Sequence, residues 1–177
     1  MRFLLFMIIL IPAQLIAQSS LYDITIKELQ GKNINMADYK GKKIIVAAVS
    51  ADNLQNGQLA YLDSIQVNNP SVIVIAVPAA DYRGANDSLV VDGIKKKQLL
   101  HIIITAAEEV KKDKGHKQNR LINWLTALAA NTHFDLDVTT DNQLYFISES
   151  GALYAVLEKG TPAGLINQLL QQDDIKR

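Results

Sequence analysis

One stretch, residues 39–62, constrains the fold more than any other part of this sequence. It reads Y-K-G-K-K-I-I-V-A-A-V-S-A-D-N-L-Q-N-G-Q-L-A-Y-L. Its run of Ile, Val and Ala has no polar alternation, which is typical of a strand buried on both faces. Turn-forming polar residues follow, and then Leu59, Leu62 and Ile65 recur at three-residue steps, which predicts an amphipathic helix. The stretch predicts a strand, a loop and a helix. The loop is either a plain connection or a ligand site of the kind found at strand ends in α/β sheets.

Strand and helix signals alternate along the rest of the chain. Turn residues at 30–32 and at 148–151 separate short runs that predict two β-hairpins, the first spanning Tyr22 to Asn35. Further apolar runs predict buried strands, and three- to four-residue apolar spacing predicts helices. These elements are strands at 72–77 and 100–105, helices at 87–99 and 121–128, and a terminal helix capped by Thr161 with Pro162 at its first position.

This order of elements predicts one α/β domain. A central mixed sheet should be flanked by helices, with parallel pairing in its first half and an antiparallel hairpin at its end. A length of 177 residues suits a single domain, which we place at residues 20–177. Trp124 lies on the apolar face of its predicted helix, which continues to Leu128, and is expected to anchor the core.

Residues 1–19 differ in composition from the rest of the chain. Met1 and Arg2 precede an unbroken apolar run from Phe3 to Ile11, and small residues follow. One positive charge, a short apolar core and small residues predict a secretory signal peptide, and the run is short for a membrane-spanning helix. We therefore expect cleavage, an exported protein that is periplasmic or secreted, and no stable membrane span in the mature chain.

The composition excludes several kinds of chemistry. The 18 basic residues balance 18 acidic ones, so no general charge would recruit nucleic acid. The chain has no cysteine and therefore cannot form a disulfide, attack as a thiolate or hold a thiolate-bound metal. The three histidines lack zinc-site spacing, and no phosphate-binding glycine motif occurs. We accordingly expect no metal, no cofactor and no nucleic-acid partner.

Several short motifs carry a family resemblance. Residues 38–42 read D-Y-K-G-K, Gln58 and Leu62 follow in the next helix, and residues 78–84 read P-A-A-D-Y-R-G. Together these resemble the glutathione peroxidase family of thioredoxin-fold enzymes. The family's patterns are D-Y-K-G-K-x-x-L-I-V-N-V-A-S-x-C-G-x-T-x-Q-Y-x-x-L and F-P-x-N-Q-F-x-G.

The resemblance assigns residues to the family's active-site positions. Asn53 stands at the peroxidatic cysteine or selenocysteine, and Asp81 at the glutamine that hydrogen-bonds the reactive atom. Alignment on Gly151 places Thr140 and Asp141 at the tryptophan and asparagine of W-N-F-x-K-F-L-V-D-x-x-G, with one residue of slack. None of these four side chains can replace a nucleophilic sulfur or selenium, so no catalytic residue is expected.

The resemblance implies a thioredoxin-like domain that is a degenerate relative of these peroxidases. Such a protein is expected to bind an unknown small molecule or protein partner without catalysis. The alternative is a working peroxidase or thiol oxidoreductase of the family, acting in the response to oxidative stress.

Asp52, Asn53, Asp81, Thr140 and Asp141 also define a candidate ligand pocket, because the family's loops converge at one end of the sheet. Three roles for these side chains stay open at this point. They could bind a hard cation such as calcium, form a polar pocket in which one carboxylate is partly protonated, or cap turns and helices.

Overall fold

The fold is built on one mixed β-sheet. The computed structural model describes residues 20–50, 57–82, 88, 90–92 and 101–172. Its strands are β1 (Thr25–Lys27), β2 (Asn33–Asn35), β3 (Lys43–Val49), β4 (Val72–Pro78), β5 (Ile103–Ile104), β6 (Gln143–Ile147) and β7 (Leu153–Leu157). Five strands pair in the order β5-β4-β3-β6-β7, and β1 and β2 form a separate antiparallel hairpin. The predicted mixed sheet with an N-terminal hairpin is confirmed.

Strand β3 lies at the centre of the sheet, where it pairs parallel with β4 and antiparallel with β6. All seven of its residues are buried. Its side chains alternate between two apolar layers, with Ile44, Val46 and Ala48 in one and Ile45, Ala47 and Val49 in the other. A strand that fills two apolar layers has no solvent face, which explains the absence of polar alternation in its sequence.

Helices cover both faces of the sheet. They are α1 (Gly57–Asn68), α2 (Arg120–Thr126), α3 (Leu128–Asn131) and α4 (Ala163–Gln171). Leu59, Leu62 and Ile65 of α1 pack on one face together with Ile166 of α4. Trp124 of α2 packs in the layer on the opposite face and is 5% exposed, so its predicted role as a core anchor is confirmed. The predicted helix at 87–99 lies largely outside the described residues.

The predicted helix at 121–128 ends earlier than its sequence pattern indicates. Ala127 has extended backbone (φ −99°, ψ 114°), which terminates α2 and starts the separate turn α3. Leu128 is consequently 50% exposed and does not join the apolar face of α2.

The strand predicted at 100–105 is shorter than expected. Of the described residues 101–105, only Ile103 and Ile104 pair with β4 as a strand. The N–H groups of His101 and Ile102 donate instead to Asp63 Oδ1 on α1, at 2.9 and 3.2 Å. Because a side chain satisfies these backbone donors, an apolar sequence that suits a strand does not form one there.

The first hairpin also begins later than predicted, and the terminal helix begins one residue later. Leu21–Asp23 forms a 3-10 turn, with the Ser20 hydroxyl accepting the Tyr22 N–H at 3.2 Å. At the terminal helix, the Thr161 hydroxyl donates to the Glu158 carbonyl at 2.7 Å and so does not cap α4. Pro162 occupies the cap position instead.

A buried lysine fixes the terminal helix to the sheet. Lys43, at the start of β3, is 8% exposed. Its Nζ donates to the carbonyl oxygens of Leu170 and Gln172 at 2.7 and 2.6 Å. A cation at the end of a helix is favoured because the last carbonyls lack partners within the helix.

None of the helices in the described part of the chain has both the length and the apolar character needed to cross a membrane.

Gly151 offers a direct test of packing between the closing hairpin and the N-terminus. Its φ is +86°, and a Cβ there would lie 2.8 Å from Tyr22 Cε2. Gly160 has a similar φ of +84° but open space around it. We expect Gly151→Ala to lower the free energy of unfolding by about 2 kcal/mol and Gly160→Ala by about 1 kcal/mol.

Urea denaturation of the two variants measures this difference. In a Tyr22→Ala background, Gly151→Ala should lower the free energy of unfolding no more than Gly160→Ala does, because the ring that the new Cβ would meet is absent. Equal costs for the two glycine substitutions would contradict the packing described.

Candidate functional site

Three segments meet at one end of the sheet, the edge formed by the C-terminal ends of β3 and β4. Strand β3 ends at Val49, which lies opposite Pro78 at the end of β4. Strand β6 runs antiparallel to β3, so the loop that precedes it, residues 137–142, lies at the same edge. In sheets with parallel strands, ligands commonly bind where the strands end.

Asp81 lies in the turn that follows β4. Its carboxylate accepts the N–H of Lys111 at 2.8 Å and the N–H of Val110 at 3.2 Å. The backbone N–H of Ala80 donates to the Glu108 carbonyl at 2.8 Å beside it. The Asp81 carboxylate therefore links the end of β4 to residues 108–111 and acts as a capping group.

Asp141 has an equivalent role at the end of β3. Its Oδ1 accepts the N–H of Ser50 at 2.7 Å. Its Oδ2 lies 3.7 Å from Nζ of Lys159, whose side chain is 56% exposed. An exposed ion pair adds only about 0–1 kcal/mol. The bond to Ser50 is thus the stronger contact, and it fixes the point where β3 ends.

Thr140 and Asn142, two residues apart, carry polar atoms with no hydrogen-bond partner in the described structure. Within the described part of the chain, Thr140 Oγ1 and both Nδ2 and Oδ1 of Asn142 are buried without a hydrogen bond. Asn142 as a whole is 1% exposed. A buried polar group left unsatisfied costs roughly 1–3 kcal/mol, so three of them within three residues are unusual and call for an explanation.

Tyr82 stands among three carboxylates at this edge. Burial raises the pKa of its phenol, and the Asp81, Asp137 and Asp141 carboxylates raise it further. The hydroxyl donates to the Val138 carbonyl at 3.2 Å. Tyr82 therefore stays protonated at neutral pH and serves as a hydrogen-bond donor rather than a base.

A second tyrosine extends this polar cluster into the core. Burial raises the pKa of Tyr145 well above its usual range, and the charge of Asp137 and the neighbouring Tyr82 add to the effect. Gln143 donates to the Tyr145 hydroxyl at 2.9 Å and accepts the Thr139 N–H at 3.0 Å. Gln143 thus fixes the loop before β6 from inside the protein.

The structure brings together part of the predicted pocket. Asp81 and Asp141 share the environment of one phenol, and Thr140 precedes Asp141 in the same loop. Asp52 and Asn53 lie outside the described residues, so the prediction for those two positions stays a prediction. Of the three roles left open by the sequence, capping is the one observed for both carboxylates. Among the described residues, no three His, Cys, Asp or Glu side chains are arranged to hold a metal ion.

Sequence reasoning missed Asn142. Its φ of 62° lies in the left-handed region, where asparagine is tolerated better than most residues. The sequence did contain a signal for this turn, because an Asp-Asn pair directly before a strand favours it. The alignment on Gly151, with its one residue of slack, assigned the family's asparagine position to Asp141, the residue before it.

Solved structures share this fold. The chain aligns with Trgpx over 86% of its own length and 93% of that chain, at a TM-score of 0.62 and 15% identity. It aligns with GPX1 of T. cruzi over 86% and 94%, at a TM-score of 0.62 and 16% identity. A secreted disulfide oxidoreductase of Mycobacterium tuberculosis aligns over 85% and 96%, at a TM-score of 0.55 and 14% identity.

These likenesses confirm a thioredoxin-like fold, with a five-stranded mixed sheet flanked by helices and an N-terminal hairpin. No protein-family model and no curated protein sequence matches the chain. At such low identities the similarity concerns the fold alone.

The capping role of Asp81 predicts a specific loss of stability. Asp81→Ala removes the acceptor of two backbone N–H groups, one of them on the fully buried Val110, and should cost about 2 kcal/mol of unfolding free energy. Asp113→Ala is the matched control, because the Asp113 side chain is 69% exposed and its cation Lys114 is 3.8 Å away. That control should stay within about 0.5 kcal/mol of wild type. Chemical denaturation measures both variants, and equal effects would show that the Asp81 bonds are unimportant.

Proposed function

We propose that this chain is an exported, thioredoxin-fold binding protein that works without thiol or selenol chemistry. The observation that carries the proposal is the absence of any cysteine in a chain with this fold. On this view the protein is a degenerate relative of the glutathione peroxidases. Its partner is a small molecule or another protein.

The chemistry of peroxide reduction supports this proposal. Attack on the O–O bond needs a strong nucleophile, which a thiolate or selenolate supplies and which is oxidised in the step. An asparagine amide at position 53 is not such a nucleophile. The competing function, a working peroxidase or thiol oxidoreductase, would need a sulfur or selenium atom from another molecule.

The geometry of the sheet edge agrees with a non-catalytic role. The carboxylates of Asp81 and Asp141 accept backbone N–H groups, and Tyr82 keeps its proton. Both carboxylates are thus already occupied in holding the backbone. The described side chains at this edge are better suited to hydrogen bonding than to proton transfer.

Activity assays test the proposal directly. The mature protein, incubated with hydrogen peroxide and either glutathione or thioredoxin, should consume NADPH in the coupled assay at the rate without enzyme. Asn53→Ala is the matched variant and should give the same rate. Turnover clearly above background that disappears in Asn53→Ala would contradict the proposal.

Export is the second part of the proposal. It is supported by the apolar segment at residues 3–11 and agrees with the secreted neighbour from M. tuberculosis. Mass spectrometry of the protein from its native source should find a chain that starts near Gln18 or Ser20. An intact Met1 terminus in a cytoplasmic fraction would overturn this part and leave the activity prediction standing.

A further inference from the structure

The loop before β6 contains two side chains, Asn142 and Thr140, with buried polar atoms that are unpaired in the described part of the chain. The amide of Asn142 has neither a donor nor an acceptor partner within the described residues, and the hydroxyl of Thr140 has none either. Buried polar groups in native proteins are almost always paired. Two unpaired side chains separated by one residue therefore point to a missing partner.

The backbone prevents these groups from turning toward water. The N–H of Asn142 donates to the Ala48 carbonyl at 2.8 Å, and Asp141 holds the Ser50 N–H at 2.7 Å. Both bonds attach the loop to the end of the central strand. To expose the amide of Asn142, the loop would have to break away from β3.

Backbone geometry does not require either polar group. Glycine adopts a φ of 62° as readily as asparagine, and it would leave no amide buried at position 142. Valine has nearly the shape of threonine and would leave no hydroxyl at position 140. The free protein would thus be at least as stable without these groups, which is typical of residues kept for binding.

We infer that Asn142 and Thr140 form a recognition site for an amide group of a ligand. This inference rests on the proposed function, since it names the chemistry of the molecule bound. The Asn142 side chain offers a donor and an acceptor side by side, and a second amide offers the complementary pair. Such a pair is presented by one extended residue of a peptide main chain and by a primary carboxamide.

The surrounding charges favour a neutral ligand. Asp81, Asp137 and Asp141 all act on Tyr82, while Lys159 Nζ lies 3.7 Å from Asp141 Oδ2 and Lys111 Nζ lies 4.9 Å from the centre of the Tyr82 ring. Because the described side chains present both signs of charge, no net charge selects an ionic ligand, and an amide needs no counter-charge. The three unpaired atoms are shielded from solvent in the free protein, so binding must move the loop before β6, and backbone amides near the end of β3, to which Asn142 is hydrogen-bonded, should change.

Two substitutions in the free protein test whether the groups lack partners. Asn142→Gly and Thr140→Val should leave the melting temperature unchanged or raise it. Thr126→Val is the matched control, because the buried Thr126 hydroxyl donates to the Ile122 carbonyl at 2.9 Å and accepts from Gln118 at 3.2 Å. That control should lower the melting temperature by several degrees. A fall of more than about 5 °C in both test variants would show that internal water pairs these groups, and would overturn the inference.

Binding is measured in ¹H–¹⁵N NMR spectra by the side-chain NH₂ signal of Asn142, assigned by its loss in Asn142→Gly, and in both proteins by the backbone amide signals at the end of β3. Two probes are titrated, acetamide and the capped tripeptide Ac-Ala-Ala-Ala-NHCH₃, which contains no primary carboxamide. We expect saturable shifts with at least one probe and a dissociation constant raised about tenfold or more in Asn142→Gly. A response to both probes, or to the tripeptide only, would identify a peptide main chain as the ligand. A response to acetamide alone would identify a primary carboxamide.

No shift with either probe, or equal affinity in Asn142→Gly, would overturn the inference. Such a result is distinguishable from failure of the proposed function. The proposed function is contradicted if the mature protein turns over peroxide. The inference is contradicted if a non-catalytic protein does not bind amides or binds them at another site.

Discussion

The burial of β3 on both faces is the constraint on which the rest of the structure depends. Seven consecutive buried residues need an apolar layer above and below them, so helices must cover both sides of the sheet. The parallel partner β4 and the antiparallel partner β6 then fix where neighbouring chain segments leave the sheet. The candidate site is the edge that results, where β3 ends and its backbone loses the sheet's regular hydrogen bonds.

That edge explains why carboxylates are found at positions where no catalysis is expected. Backbone N–H groups beyond a strand end need acceptors, and buried donors without them are costly. Asp141 supplies one acceptor for Ser50, and Asp81 supplies acceptors for Val110 and Lys111. A charged acceptor makes a stronger bond than a neutral one, so aspartate is well suited to this structural task. Asn142 and Thr140 differ from them because, within the described residues, their side-chain polar atoms make no hydrogen bond.

The sequence predicted the parts of the fold that depend on local pattern. An uninterrupted apolar run identified β3 and β4, and helical spacing identified the buried face that carries Trp124. The sequence-based prediction was wrong where a side chain distant in the sequence determines the backbone hydrogen bonding. Asp63 accepts the N–H groups of His101 and Ile102, which lie 38 and 39 residues away in the sequence, and so shortens β5. Such contacts join residues whose proximity no short pattern reveals. For the same reason, the family resemblance identified Asp81 and Asp141 as candidates without showing what they bind.

Hydrogen exchange at Ser50 tests the central claim most directly, namely that the carboxylates at this edge hold the backbone. In the wild-type protein, we predict that the Ser50 amide exchanges at least about tenfold more slowly than in Asp141→Ala, because its bond to Oδ1 at 2.7 Å must open first. The amide of Val46, in the centre of β3, should stay slow in both proteins. A Ser50 amide that exchanges equally fast in wild type and variant would contradict the account.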